Sequence, residues 1–497
     1  MALSAGAYSL SNLSELLPSG GAQNVVEFVA SGTLSNGQAV ILNSNGSVTA
    51  VAGVAGGLGT KTTFSVGKAD ATVASVFDTN LNKFLFFYKD AGNSGQGMAV
   101  VASVNGSTIS VGTPVVFESG GAQIIRAVFD TNANKAVITY KEYSSPGHYK
   151  AIVATASGTT ISFGSPVTIT TNSIYDQVSL TFDSNVNKVL TTWRDNQSTY
   201  GHAKVGTVSN TSISFGGDRI FAGKPNLSFS TFDTTLNKVI LAYQDLETAY
   251  GNYSYGTIVS GTIAAGTTFI SWGQSYVYSS YNTAEMEIAY EPSSNRTVIA
   301  FKNSNTSNQS TAKIASLNSS GLFTFGSAIV FDTRVVYNYS LIADTNSNKM
   351  IVIFRGVGGA FITYATVSGL TMTVGDKTLF ADSYTYYIEV KFDNNLNVPV
   401  VAYYDNLLNG RASAVSFTPS STNLTDTNLI GISAEAVASG ATGEINVLGG
   451  LNEGQSSLTP ASIYYVQGNG TITTASASPA QKIGQAISST KLNLVDL

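Results

Sequence analysis

The sequence contains no cysteine, 2 histidines and 10 prolines in 497 residues. Without thiols there is no disulfide framework, no cysteine nucleophile and no thiolate zinc site. Two histidines do not make a His-rich metal centre or a series of Ser–His triads. Charge is also scarce: 11% of residues are charged, against about 25% in ordinary soluble proteins. The 25 basic and 30 acidic residues leave a net charge of -5. That balance does not supply the clustered Lys and Arg that displace counterions from phosphate, so no nucleic-acid partner is expected. The first basic residue is Lys61, and the start of the chain lacks the basic-then-apolar pattern of a secretory signal. No apolar run approaches the ~18 residues of a membrane span. The reading is a chain made in the cytosol, with no span, no cofactor and no metal.

What is abundant is glycine, at 48 residues, and ring side chains, with 25 Tyr and 24 Phe. A hydrophobic fraction of 43% is enough for a real core. Residues 59–417 carry almost all the Tyr, Phe and Lys, whereas 1–58 and 418–497 share a Gly/Ser/Thr/Ala texture.

One phrase recurs seven times, beginning with VFDTNLNKFLFFYKD at Val76. Its anchoring acids are Asp78, Asp130, Asp183, Asp233, Glu291, Asp344 and Asp393, at gaps of 52, 53, 50, 58, 53 and 49 residues. Each unit reads as four strands of β-branched and aromatic residues between Gly/Asn turns, and no stretch sustains a helical period. Four strands in about 50 residues is the arithmetic of a propeller blade. The predicted fold is all-β: a seven-bladed β-propeller over 59–417, inserted in a small β-sandwich or barrel-like domain made of 1–58 and 418–497. The seventh unit stops after a third strand near Arg411–Phe417, and the segment Gly59–Val66 matches the fourth-strand phrase. This predicts that the N-terminal strand completes blade seven and removes an open sheet edge. Pro292 and Pro399 depart from the repeat and point to less regular blades in the last three copies.

The repeated FDxNxNK phrase reads as a structural turn. Asp accepts backbone N–H groups, Asn tolerates positive φ, Phe packs between blades, and Lys lies over neighbouring rings or in water. The phrase D-x-N-x-N is like the first half of a calcium loop. Yet position 6 is Lys or Arg in six copies, where such a loop needs Gly, and the Glu at position 12 is missing. Asp78, Asp130, Asp183, Asp233, Asp344 and Asp393 are therefore assigned to turns, with no metal.

The loops from second to third strand, and from one blade to the next, share one propeller face and are unlike one another. Variable loops on a repeated scaffold are where recognition sits. They contribute Tyr143, Tyr149, Tyr175, Asp176, Asp195, Tyr200, Asp245, Tyr250, Tyr337 and Tyr384 as candidate ligand-binding residues. Rings stack on the apolar faces of sugars, and carboxylates and amides bond hydroxyls. Asp90, Glu142 and Glu247 share this face, so an acid/base pair is the enzymatic alternative. His148 and His202 fall at matching places in blades two and three, readable as plain surface or as a metal pair.

The tail phrases SLTPASIYYVQGNGTITT and KIGQAISSTKLNL resemble a module at the ends of tailed-phage virion proteins. The FDTNxNK repeats, followed by phrases such as Gly158–Ile169, resemble repeats in marine phage structural and tail-fibre proteins. The resemblance implies a place on a virion, with other virion proteins as partners. It leads to an expectation of a non-enzymatic tail-fibre or adhesin-type component. Its split β-domain would attach to the particle, and its propeller would bind host-surface polysaccharide or a neighbouring virion protein. The alternatives are a capsid-decorating or tail-connecting protein without a ligand, and a polysaccharide-degrading enzyme.

Overall fold

A computed structural model describes residues 24–495 apart from 55, 66, 144–146, 248–253, 383–384, 409, 419–420, 426 and 477–479. The chain divides into two compact units, Met1–Gly57 with Thr418–Leu497, and Leu58–Phe417. The sequence placed the first boundary one residue later.

The larger unit is a seven-bladed propeller of antiparallel sheets. Blade 1 shows the plan: an inner strand Ala69–Asp78, then Lys83–Asp90, then Gln96–Asn105. The reading of four strands per unit implies one unbroken fourth strand. It is instead two short pieces, Thr108–Val111 and Val115–Glu118, which pair with opposite halves of the third strand. Gly112-Thr-Pro114 breaks it, since proline cannot donate to the ladder. The other inner strands are Ala122–Asp130, Ile174–Asp183, Pro225–Asp233, Ile270–Glu291, Ile329–Asp344 and Thr385–Asp393. Ile270–Glu291 runs unbroken from the outer edge of blade 4 into the centre of blade 5, and Ile329–Asp344 does the same from blade 5 to blade 6. Blades five to seven keep the strand order of the others, with Pro399 beside Phe392 near the start of a second strand.

Blade 7 takes its last strand from the N-terminal side. Thr62 and Thr63 pair with Ala414 and Ser413, and the Gly59 N–H donates to the Ser416 carbonyl at 2.8 Å. Phe64 then stacks on Phe86 with centroids 4.6 Å apart, inside the core shared by blades 7 and 1. Each of the other blade junctions has its own apolar core. Phe77, Phe129 and Phe392 of the repeat are buried in three of them. One glycine position is fixed by contact: a Cβ at Gly97 would sit 2.5 Å from the Phe117 ring, and one at Gly201 2.5 Å from Phe221. In blades 1 and 3 a glycine stands at or next to the start of the third strand because the outer-strand aromatic of the same blade lies across it.

The smaller unit is a sandwich of two five-stranded sheets. One has the order Val25–Val29, Thr442–Val447, Leu429–Ser433, Ala39–Leu42, Val48–Ala50, so N- and C-terminal segments alternate within it. The other contains Leu451–Asn452, Leu492–Leu494, Ala480–Ala486, Ile463–Gln467 and Ile472–Thr473. Ile41, Leu429 and Ile432 of the first pack with Val466, Ile483 and Leu492 of the second. Among the described residues, no helix is long and apolar enough to cross a membrane.

Candidate functional site

The two faces of the propeller are built differently. On the turn face, Asp78 Oδ1 accepts the N–H groups of Asn80 and Leu81 at 3.0 and 2.9 Å. Asn82 follows at φ 54°. The same pair of bonds recurs at Asp130, Asp183, Asp233, Asp344 and Asp393, and at Glu291 the two oxygens take one bond each. Every copy ends on Asn at φ between 52° and 57°, a left-handed conformation that Asn accepts more readily than most residues. The lysine faces water at Lys349, but in three other copies it finds a hydroxyl partner. Lys83, Lys188 and Lys238 donate to Ser103, Thr207 and Thr262 on the third strand of their own blade, at 2.7, 2.7 and 3.0 Å. Neighbouring turns are also linked, by Asn346 Nδ2 to the Asn394 carbonyl at 2.7 Å and by Asn395 to Asn82.

On the loop face, the acids serve their own loops. Asp195 is 2% exposed, and its Oδ1 accepts from the Gln197 and Ser198 N–H groups at 2.8 Å while its Oδ2 accepts from Asn172 at 2.6 Å. Burial works against its charge, but the bonds from Ser198, Asn172 and Gln197 outweigh it and hold the carboxyl below its ordinary value. Asp90 accepts from Gly92 at 3.0 Å, and Asp245 from Glu247 at 2.9 Å. Glu142 is paired with Lys150 and lies 3.5 Å from His148. His202 bonds Asp218 at 2.7 Å and stacks on Trp193. Each histidine thus has a carboxylate partner in its own blade. Among the described residues no three metal-ligating side chains gather.

Of the candidate ligand-binding residues, Tyr149 is corrected. It opens the third strand of blade 2 rather than ending a loop, is 0% exposed, and its hydroxyl bonds Thr191 at 2.8 Å. Asp195 is likewise a turn acceptor rather than a displayed group. Tyr143, Tyr200 and Tyr337 are exposed at 63%, 44% and 41%. Tyr175 lies under the Arg194 guanidinium at 4.1 Å, and Lys89 stands 5.2 Å from the Tyr143 ring. Tyr250, Tyr384 and the side chain of Asp176 lie outside the described residues.

Two further exposed tyrosines, Tyr281 and Tyr387, were not among the candidate ligand-binding residues. With Tyr143, Tyr200 and Tyr337 they make up every exposed tyrosine among the described residues, and all five lie on the loop face. Arg355 sits between the rings of Tyr337 and Tyr386, at 4.7 and 4.0 Å, so a guanidinium and two rings form one platform across blades 6 and 7. Lys302 approaches the same Tyr337 ring at 6.0 Å and Glu285 at 3.9 Å.

Behind this face the inner strands enclose a channel. A cavity of about 340 Å³ is lined by Arg126, Ser179, Phe229, Glu287, Ser340 and Glu389, among others. These six share one place in the repeat, four residues before each anchoring acid. That column holds two carboxylates, a guanidinium and two hydroxyls where a buried strand would be apolar. Aligning the seven copies on their acids is the signal that could have found it. Glu287 faces the channel yet is enclosed by protein, and this desolvation pushes its carboxyl up to about 8. Glu389 accepts from the Ser75 N–H and hydroxyl at 2.9 and 3.2 Å and lies 3.5 Å from Lys391.

No protein-family model matches this chain. No curated protein matches it either. Among solved structures it is similar to a crystal structure of a protein from Lactobacillus plantarum, at 13% identity and TM-score 0.45, over 73% of this chain and 98% of that one. It is also similar to the β-propeller domain of the trilobed protease from Pyrococcus furiosus, described as having an open velcro topology. That match has 8% identity and TM-score 0.42, over 72% of this chain and 98% of that one.

Proposed function

We propose that the chain is a non-enzymatic binding component of a phage particle whose propeller takes a host-surface polysaccharide on its loop face. The observation that carries the binding reading is the gathering of all five exposed tyrosines on that face, with Arg355 held between two rings. Aromatic platforms beside guanidinium donors suit sugars, whose C–H faces stack on rings and whose hydroxyls accept from cations. The non-enzymatic reading is supported by Asp90, Asp195 and Asp245, whose oxygens hold their own loops. The place on a virion, and attachment through residues 1–58 and 418–497, rest on the resemblance of the tail phrases and repeats to phage proteins.

Two experiments test these parts separately. Immunogold labelling of purified particles with antibody to residues 59–417 should mark a tail end or fibre; no gold on any particle removes the virion reading. Full-length protein should adsorb to host envelope polysaccharide without releasing reducing ends. Adsorption unaffected by Tyr337→Ala and Arg355→Gln together removes the face reading, and release of reducing ends makes the chain an enzyme.

A further inference from the structure

The channel is a second, deeper place for a ligand. Its charges do not cancel. Lys391 is matched by Glu389, which is also bonded by Ser75. Glu287 is held mostly uncharged at neutral pH by its enclosure. Arg126 donates to the carbonyl of Ile125 at 3.1 Å and, among the described residues, is in no ion pair. One positive charge is therefore left over, on the side chain best shaped to take a carboxylate with two parallel bonds. Ser179, Ser230, Thr231 and Ser340 add hydroxyls to the lining, and Phe229 adds a ring. The volume of about 340 Å³ lies at the low end of small-molecule pockets.

Backbone bulges mark the entrance. Leu227, Glu285 and Tyr387 stand at φ 46°, 45° and 50°, and Ile124, beside the Arg126 segment, at 51°. All four lie six residues before their blade's acid. Each stands at the register shift where the inner strand bulges against the second strand of its blade, and bulges re-aim side chains beside functional sites. Leu227, Glu285 and Tyr387 line a smaller cavity of about 100 Å³ that shares Arg126, Phe229, Glu287 and Glu389 with the larger one. Tyr387 is exposed at 45%, so this smaller cavity leads inward from the loop face.

We propose that the channel binds a small carboxylate-bearing polyol, an acidic sugar of monosaccharide size, with Arg126 as the carboxylate anchor. A single uncompensated positive charge suits a monoanion, whereas a phosphate dianion would meet Glu389. The proposal goes beyond the loop-face reading and survives its failure.

Isothermal titration calorimetry on the full-length protein tests it, with sodium galacturonate, sodium glucuronate and N-acetylneuraminate as probes, galactose as the neutral control, and trigalacturonate as a polymer end. At least one acidic sugar should bind at least tenfold more tightly than galactose at pH 7, and Arg126→Gln should remove that preference. Binding of the monosaccharide alone identifies a soluble ligand; binding of trigalacturonate as well identifies a chain end. A second variant guards against loss of fold. The groups facing Glu287 are Arg126, Glu285, Glu389 and Lys391; blades 3, 4 and 6 line the larger cavity with hydroxyl and apolar side chains only. Raising the pH to 9 adds the negative charge of Glu287 and should weaken acidic-sugar binding several-fold, and Glu287→Gln should bind as well at pH 9 as at 7. No heat with any acidic probe, equal affinity for galactose, or a preference untouched by Arg126→Gln overturns the proposal.

Discussion

The turn face and the loop face of the propeller carry the same strands and differ in what their side chains are spent on. On the turn face seven acids make the same short-range bonds, and seven asparagines repeat the same backbone angle. On the loop face no two loops match, yet the buried acids there also hold turns, while the tyrosines and cations are displayed. Asp90, Asp195 and Asp245 hold turns on the loop face as Asp78 and its counterparts do on the other, and the displayed rings are what differs.

The sharpest way to break this comparison is to remove one acid from each face. Asp344 is 0% exposed and accepts from the Asn346 and Ser347 N–H groups and the Ser347 hydroxyl. Asp344→Ala should cost the propeller about 3 kcal/mol in urea unfolding, since it leaves several donors unmatched. Asp195→Ala on the loop face should cost about 2 kcal/mol by the same measurement. If Asp195→Ala left stability unchanged but abolished binding, the loop-face acids would be displayed groups after all.

The pH dependence separates the loop face from the channel, because the two carboxyls shift in opposite directions. The Asp195 carboxyl is held down in the folded state, so its contribution is complete above the unfolded value near 3.8 and is lost as pH falls through the folded one. Glu287 is pushed up from 4.5 to about 8. Between those values the unfolded chain has released the proton that the folded chain keeps, so stability falls as pH rises across that window. Glu287→Gln should remove that fall and raise stability at pH 8.5 by on the order of 1–2 kcal/mol, less than the full shift implies because the channel screens the charge. Thermal unfolding at pH 6 and 8.5 checks this, and identical curves for variant and parent at both would contradict it.

The smallest expected effect on stability is at the exposed side chains. Tyr337→Ala and Leu396→Ala, on the loop and turn faces and exposed at 41% and 51%, should each change stability by no more than about 0.5 kcal/mol.

Much of this architecture could be read from the spacing of Asp78 and its six counterparts, because a repeat that must close a ring fixes strand count and blade number together. The closing strand was legible for a similar reason: Thr62-Thr63-Phe64 repeats the outer-strand phrase, and an unpaired edge in blade 7 needed it. The break at Gly112–Pro114 and the long strands Ile270–Glu291 and Ile329–Asp344 were not legible, since strand propensity alone does not say where a ladder partner ends. At the site, loop position marked Tyr143, Tyr200 and Tyr337 but misplaced Tyr149, which one residue of register puts at the start of a strand and into the core. The channel was overlooked because Arg126, Glu287 and Glu389 are scattered in sequence and meet only where the ring brings seven inner strands together.

The most direct test of the central claim compares adsorption of full-length protein to host envelope polysaccharide for the parent, Tyr337→Ala and Leu396→Ala. The expected result is at least a tenfold loss of affinity for Tyr337→Ala and none for Leu396→Ala. Equal loss in both, or loss only with Leu396→Ala, would contradict the assignment of binding to the loop face.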